Sequence, residues 1–290
     1  MSPLPVDSRS YIFAFAIGTA GEIPGDFIVP ESLGPLRFGL FLPQDDRDWF
    51  GRSSYPPRVM LLSDDEIAVI PHPSCRQQML RIPLREIRFV EAGHILLLGW
   101  IRLHWASSEA KFPYNTRTKR PVHQFLQRLT KACMPQVARK QEAVREWGSP
   151  LDRKFSYALS RELGEEETML VRLFLPAEQT VRKWLWAGFQ SWSGAHLIAL
   201  TTRRVLWITD QCEGMYERYG TTSVAAPLAS LRGVTCEADK TACCLRLSFG
   251  GAAQWRTPVS AGNDAAVRGF ADQVEEIVNG LRRHPKLTCP

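Results

Sequence analysis

Apolar residues recur along this chain with two periods, in the same order, twice over. In the first half, residues 37–42, 58–62, 66–70, 79–83, 87–90 and 95–105 form short runs rich in β-branched and aromatic side chains, which predicts strands. A tight turn at Ser63, Asp64 and Asp65 makes residues 58–70 a hairpin. After a polar stretch around Pro113 and Asn115 the period changes. Val122, Phe125, Leu126 and Leu129 fall at the spacing of one helix face. The second half follows suit: a hairpin over 195–208 turning at Thr201, Thr202 and Arg203, strands over 223–227, 231–236, 244–249 and 253–257, then a helix over 263–281. That helix presents Val267, Phe270, Ala271, Val274 and Ile277 on one face, with Asn263 or Asp264 as its cap.

Two further stretches show helical spacing. Val181, Trp184, Leu185 and Trp192 predict a helix within 177–192. Val137, Val144 and Trp147, bracketed by Pro135 and Gly148, predict another over 136–147. The start of the chain, residues 1–35, is rich in Pro and Gly around the apolar run Tyr11-Ile-Phe-Ala-Phe-Ala-Ile17, a candidate strand.

The two halves match in sequence as well as in pattern. Ile82-Pro-Leu-Arg-Glu-Ile-Arg-Phe-Val90 returns as Ala226-Pro-Leu-Ala-Ser-Leu-Arg-Gly-Val234. Leu40-Phe-Leu-Pro43 returns as Leu173-Phe-Leu-Pro176, and Val122-His-Gln-Phe125 as Val267-Arg-Gly-Phe270. The offsets are 144, 133 and 145 residues, so order and spacing survive with small insertions. Three blocks in register point to two copies of one domain. The expected organisation is an N-terminal extension (1–35), a first copy (36–132), a helical connector (133–167), a second copy (168–283) and a tail (284–290). In both Pro-Leu-x-x-(Ile/Leu) blocks the apolar residues, Leu84 with Ile87 and Leu228 with Leu231, are expected inside, and Arg88 and Arg232 outside.

Composition narrows the class. With 44% hydrophobic and 23% charged residues in 290, the chain reads as globular, with room for two cores. Its longest apolar runs are too short to span a bilayer, and Met1-Ser-Pro-Leu-Pro-Val-Asp7 lacks the basic and apolar regions of a secretion signal, so a cytoplasmic location is expected. Seven cysteines without a C-x-x-C pair predict no disulfide framework. The net charge of +6 is uneven: nine Lys or Arg against three acids lie between Arg76 and Arg120. Such a face attracts phosphate, lipid headgroups or an acidic protein, and it is equally the pattern of a solvated surface.

The stretch Ala199-Leu-Thr-Thr-Arg-Arg-Val-Leu-Trp-Ile208, the block at 226–234 and the closing helix give the second copy a resemblance to the bacterial pleckstrin-homology-like domains, a family related in shape to the GRAM domain. The first copy matches less closely, because Ser63-Asp-Asp-Glu66 stands where the second has Thr201-Thr-Arg-Arg204. The resemblance implies an α+β, mostly β fold: two tandem split barrels, each a bent antiparallel sheet of seven strands capped by its C-terminal helix. Fold does not fix function, and a non-catalytic protein-interaction or scaffolding role is the expectation.

No catalytic pattern is legible. The six histidines are scattered without a metal-binding pair, and no nucleophile elbow, Walker or dinucleotide fingerprint occurs, so no enzyme, cofactor or metal is expected. The candidate contacts for a protein partner or a phosphate are Arg182, Lys183, Trp184, Trp186 and Trp192 in one aromatic and basic stretch, Arg203 and Arg204 at the hairpin turn, and Lys119 and Arg120 before the first helix. A protein partner is the expectation, with no nucleic acid. The alternative is peripheral binding to anionic membrane lipid through the second copy, where tryptophans adjoin Arg182 and Lys183. The matching loop of the first copy carries Asp45, Asp46 and Asp48, which opposes headgroup binding there. An enzyme with an unrecognised site is the remote third reading.

Overall fold

The structure is a computed structural model, and it describes residues 12–44, 55–137, 144–164, 166–182, 189–210, 220–238, 243–250, 253–259 and 261–283. The chain divides between Cys133 and Met134 into two compact units. The described residues are mostly β in both.

In the first unit, β1 (Phe15–Ile17), β2 (Phe38–Leu42), β3 (Arg58–Leu62), β4 (Glu66–Pro71) and β5 (Leu80–Pro83) lie side by side in chain order, each antiparallel to the next. β3 is buried at every position. The segment between β1 and β2 contributes Phe27 to a cluster with Ile17 of β1 and with Phe41, Val59, Leu61, Ala68 and Ile70. The Pro- and Gly-rich start is therefore part of this core over its described residues. β6 (Ile87–Ile95), β7 (Leu98–Trp105) and β8 (Ser108–Asn115) follow as an antiparallel meander. Helix α1 (Lys119–Cys133) closes the unit, packing against β1 and β2 and burying Val122, Phe125, Leu126, Leu129 and Thr130.

The second unit repeats this plan. Its strands are β9 (Arg145–Gly148), β10 (Met169–Leu175), β11 (Glu178–Arg182), β12 (Phe189–Ser193), β13 (His196–Thr201), β14 (Arg204–Thr209), β15 (Gly220–Pro227), β16 (Leu231–Ala238), β17 (Cys243–Phe249) and β18 (Gln254–Val259). Helix α2 (Arg153–Glu162) sits between β9 and β10, and helix α3 (Asp264–Arg283) ends the unit. β15, β14, β13 and β10 are antiparallel neighbours, as β5, β4, β3 and β2 are. β16, β17 and β18 match β6, β7 and β8, and α3 matches α1. Four strands, three strands and a helix are thus common to both units. The units differ in the strand added at the outer edge, where β1 pairs antiparallel to β2 and β9 parallel to β10, and in α2 and the hairpin β11–β12, described in the second alone.

The repeated Pro-Leu block forms the corner between the two groups of strands. Pro83 and Pro227 end β5 and β15 in extended backbone that suits the fixed φ of proline. A 3₁₀ turn follows each, Leu84–Glu86 and Leu228–Ser230. The amide of Leu84 donates to the Asp65 carbonyl and that of Leu228 to the Arg203 carbonyl, both at 2.8 Å, so each corner is tied to its own hairpin turn. β6 and β16 then begin with a register shift, at Ile87/Phe89 and at Leu231/Gly233. Leu84, Ile87, Leu228 and Leu231 are buried and Arg88 and Arg232 exposed, as the sequence predicts.

Three expectations are corrected. Over the described residues, 177–192 forms the hairpin β11–β12 rather than a helix: Gln179 faces Trp192 and Val181 faces Gln190 across two antiparallel strands. Cross-strand hydrogen bonds, which sequence spacing does not register, outweigh a helical period carried by four residues. The connector helix over 136–147 is likewise absent where described. Residues 145–148 are β9, drawn into the sheet by β10, and the helix of this region is α2. The run 95–105 is interrupted by a turn at Leu96 and Leu97, which carry no turn signal, and the polar stretch after it contains β8. Among the described residues Cys236 is disulfide-bonded, while Cys75, Cys133 and Cys244 lie outside any disulfide.

Candidate interaction site

The predicted contact residues that the structure describes stand in different settings. Lys119 and Arg120 are exposed on the first turn of α1. Arg182 ends β11 and Trp192 lies in β12, while Lys183, Trp184 and Trp186 fall outside the described residues. Arg203 is largely covered, with a side chain 12% exposed beside Glu166. Arg204 is buried. Its Nε donates to Glu167 Oε1 at 2.9 Å and its Nη2 to Oε2 at 3.0 Å, and it also reaches the Glu162 carbonyl. Thr201 Oγ1 donates to the same carboxylate at 2.6 Å. A guanidinium so enclosed serves the fold and has no face left for an outside phosphate.

A cleft that the sequence does not announce lies where β9 meets α2. Its volume is about 440 Å³, and Trp147, Leu151, Ser149, Ser156, Glu146 and Arg172 help line it. Its geometry follows from local chemistry. Gly148 ends β9 at φ +81°, and a Cβ there would stand 2.2 Å from the Phe174 carbonyl oxygen, so only glycine fits. Ser149 N–H donates to that carbonyl at 3.1 Å. Asp152 then caps α2, its carboxylate accepting from Phe155 N–H at 2.9 Å, and Phe155, Ala158 and Leu159 anchor the helix. Phe155 packs on Phe174 with ring centroids 5.1 Å apart.

The cleft carries both polar and apolar groups. Arg172 of β10 and Glu146 of β9 are register partners and form an ion pair at 2.7 Å, the arginine 17% exposed and the glutamate 55%. Behind them the Trp147 ring packs on the backbone of α3 at Gly269, and its Nε1 is buried with no hydrogen-bond partner among the described residues. Near α2, Asp210 accepts from Ala195 N–H at 2.7 Å and faces Lys154 at 3.7 Å. Burial pushes its carboxyl above the usual carboxylate range, against the opposing pull of Lys154. Ser149 and Ser156 add two hydroxyls to the lining. An ion pair, an indole, two hydroxyls and a leucine give this open cleft both charged and apolar contact groups.

The interior of the unit holds one histidine. His196 is 3% exposed, its Nδ1 accepts from Trp207 Nε1 at 3.3 Å, and its Nε2 is buried without a partner among the described residues. Burial lowers its pKa to about 4, so the ring is neutral at physiological pH. Trp207 continues to Trp255 and then Phe249, an aromatic row that joins β14 to β17 and β18 across the interior. This histidine is a packing residue.

Among the described residues no group of three His, Cys, Asp or Glu side chains is placed to hold a metal ion, and no helix is long and apolar enough to cross a membrane. Compared with models of known protein families and with curated proteins, the chain matches none.

Proposed function

We propose that this chain is a cytoplasmic, non-catalytic interaction module built from two tandem pleckstrin-homology-like domains, and that it binds a protein partner through the cleft between β9 and α2. Supporting the domain reading is the corner shared by both units: the same proline, the same 3₁₀ turn and the same 2.8 Å bond from a leucine amide to the preceding hairpin turn. The observation that carries the binding role is the composition of the cleft, where a mostly buried arginine, an aromatic wall and Leu151 stand beside a paired carboxylate. Aromatic and arginine groups of this kind anchor protein interfaces. Affinity capture with the full chain and with an Arg172→Glu, Leu151→Asp variant tests it. A protein retained by the parent and lost by the folded variant supports the cleft; equal capture by both removes it.

A further inference from the structure

The turn joining β6 to β7 is made of two leucines. Ile95 and Leu98 pair across the hairpin, leaving Leu96 and Leu97 as its loop. Leu96 has φ 52°, a left-handed conformation that two-residue hairpin turns ordinarily assign to Gly or Asn, because a branched side chain is strained there. Both side chains are also solvent-exposed, Leu96 at 52% and Leu97 at 51%. Backbone and solvent alike therefore disfavour these residues at this place in the isolated chain.

The start of α1 is fastened to this turn. Thr116 donates its amide to the Leu97 carbonyl at 2.9 Å and its hydroxyl to the Leu96 carbonyl at 2.7 Å. Asn115 accepts from the Arg117 amide at 3.0 Å and fixes the 3₁₀ turn Thr116–Thr118 that leads into the helix. Three exposed cations, Arg117, Lys119 and Arg120, are thereby set beside the leucine pair, and none is ion-paired among the described residues. The first turn of α1 holds no acid, so these charges sit at the positive end of the helix dipole without compensation.

An exposed apolar turn fastened to a segment of unpaired cations is complementary to one surface above others. In an anionic bilayer, leucines enter the interface while the neighbouring cations meet the headgroups. A protein pocket would have to supply a matching groove and acids together. The second unit serves as an internal control. Its corresponding connection, from β16 to β17, consists of Asp239, Lys240, Thr241 and Ala242, and α3 opens with Asp264. Neither the apolar tip nor the uncompensated cations recur there. We propose that the Leu96–Leu97 turn, with Arg117, Lys119 and Arg120, docks the first unit onto anionic phospholipid bilayers. The docking element belongs to the first unit, whereas the sequence alone singles out an aromatic stretch of the second.

Co-sedimentation of the full chain with vesicles of phosphatidylcholine mixed with phosphatidylserine, against phosphatidylcholine alone, tests the proposal. Each cation near an anionic surface contributes about fivefold to binding. Arg117→Gln, Lys119→Gln, Arg120→Gln together are expected to lower binding about a hundredfold. Leu96→Gly with Leu97→Ser is expected to abolish binding while melting no lower than the parent, since glycine relieves the strained angle. Leu97→Ser alone, at an ordinary backbone angle, is expected to weaken it. Failure of the parent to sediment with the anionic vesicles, equal sedimentation with neutral ones, or full binding by the folded leucine variants would overturn the proposal.

Discussion

Arg204 and Glu167 form a bidentate ion pair whose side chains are 4% and 3% exposed, one at the start of β14 and the other in the segment leading into β10. The first unit solves the same problem with the charges exchanged. At the position of Arg204 stands Glu66, paired to Arg81 of β5. Both turns also use the same hydroxyl bond: Ser63 Oγ accepts from the Glu66 amide at 3.3 Å and Thr201 Oγ1 from the Arg204 amide at 2.9 Å. The weak sequence match at this turn thus hides a shared geometry.

Breaking the buried pair is costly because the surviving charge stays enclosed. Glu167→Ala is expected to lower unfolding free energy by about 3 to 5 kcal/mol. Glu167→Leu with Arg204→Met, which removes both charges, is expected to cost much less. Urea titration of the three proteins measures the difference, and equal losses in the single and double variants would place the effect elsewhere.

A second relationship sets helix propensity against packing. A Cβ on Gly269 of α3 would stand 2.3 Å from the Trp147 ring. Alanine is ordinarily better than glycine inside a helix by about 1 kcal/mol, whereas overpacking costs roughly 1 to 3 kcal/mol. Gly269→Ala is therefore expected to destabilise the parent and to become neutral or stabilising in a Trp147→Ala background. A thermal double-mutant cycle reads the sign change.

Acid sensitivity should trace to His196. Its folded pKa, lowered by burial to about 4, lies below the ordinary 6.5, so the unfolded chain binds the extra proton in that interval. The contribution is complete above 6.5 and is lost as pH falls toward about 4. The loss approaches about 1.4 kcal/mol per pH unit and totals about 3 kcal/mol. His196→Gln, which keeps an acceptor for Trp207, is expected to flatten the stability profile in that window. An unchanged slope would assign the proton to another group.

The corner offers a simple contrast of inside with outside. Leu231, 3% exposed, is expected to cost several kcal/mol when changed to Asp, because a carboxylate would be buried unpaired. Arg232→Ala, one residue on and exposed, is expected within about 1 kcal/mol of the parent. Chemical denaturation of the two variants checks the assignment.

The sequence by itself determined what local pattern controls: the two hairpins, the Pro-Leu corner with Leu84, Ile87, Leu228 and Leu231 inside, and the closing helices through Val122, Phe125, Val267 and Phe270. Those features repeat because side-chain period and proline geometry act within a few residues. Tertiary structure decided the rest. Residues 145–148 became a strand because β10 offered an edge, and residues 178–193 formed a hairpin over their described parts because two segments paired. Arg204, read as a candidate phosphate contact, was claimed by a carboxylate 37 residues away. Ala106 at φ 45° and Leu96 at φ 52° turn the chain without Gly or Asn, so β8 and the leucine tip were invisible to turn chemistry. Each of these outcomes depends on a hydrogen-bonding or ionic partner distant in sequence, and a pattern read along one strand of chain carries no record of the partner it will meet.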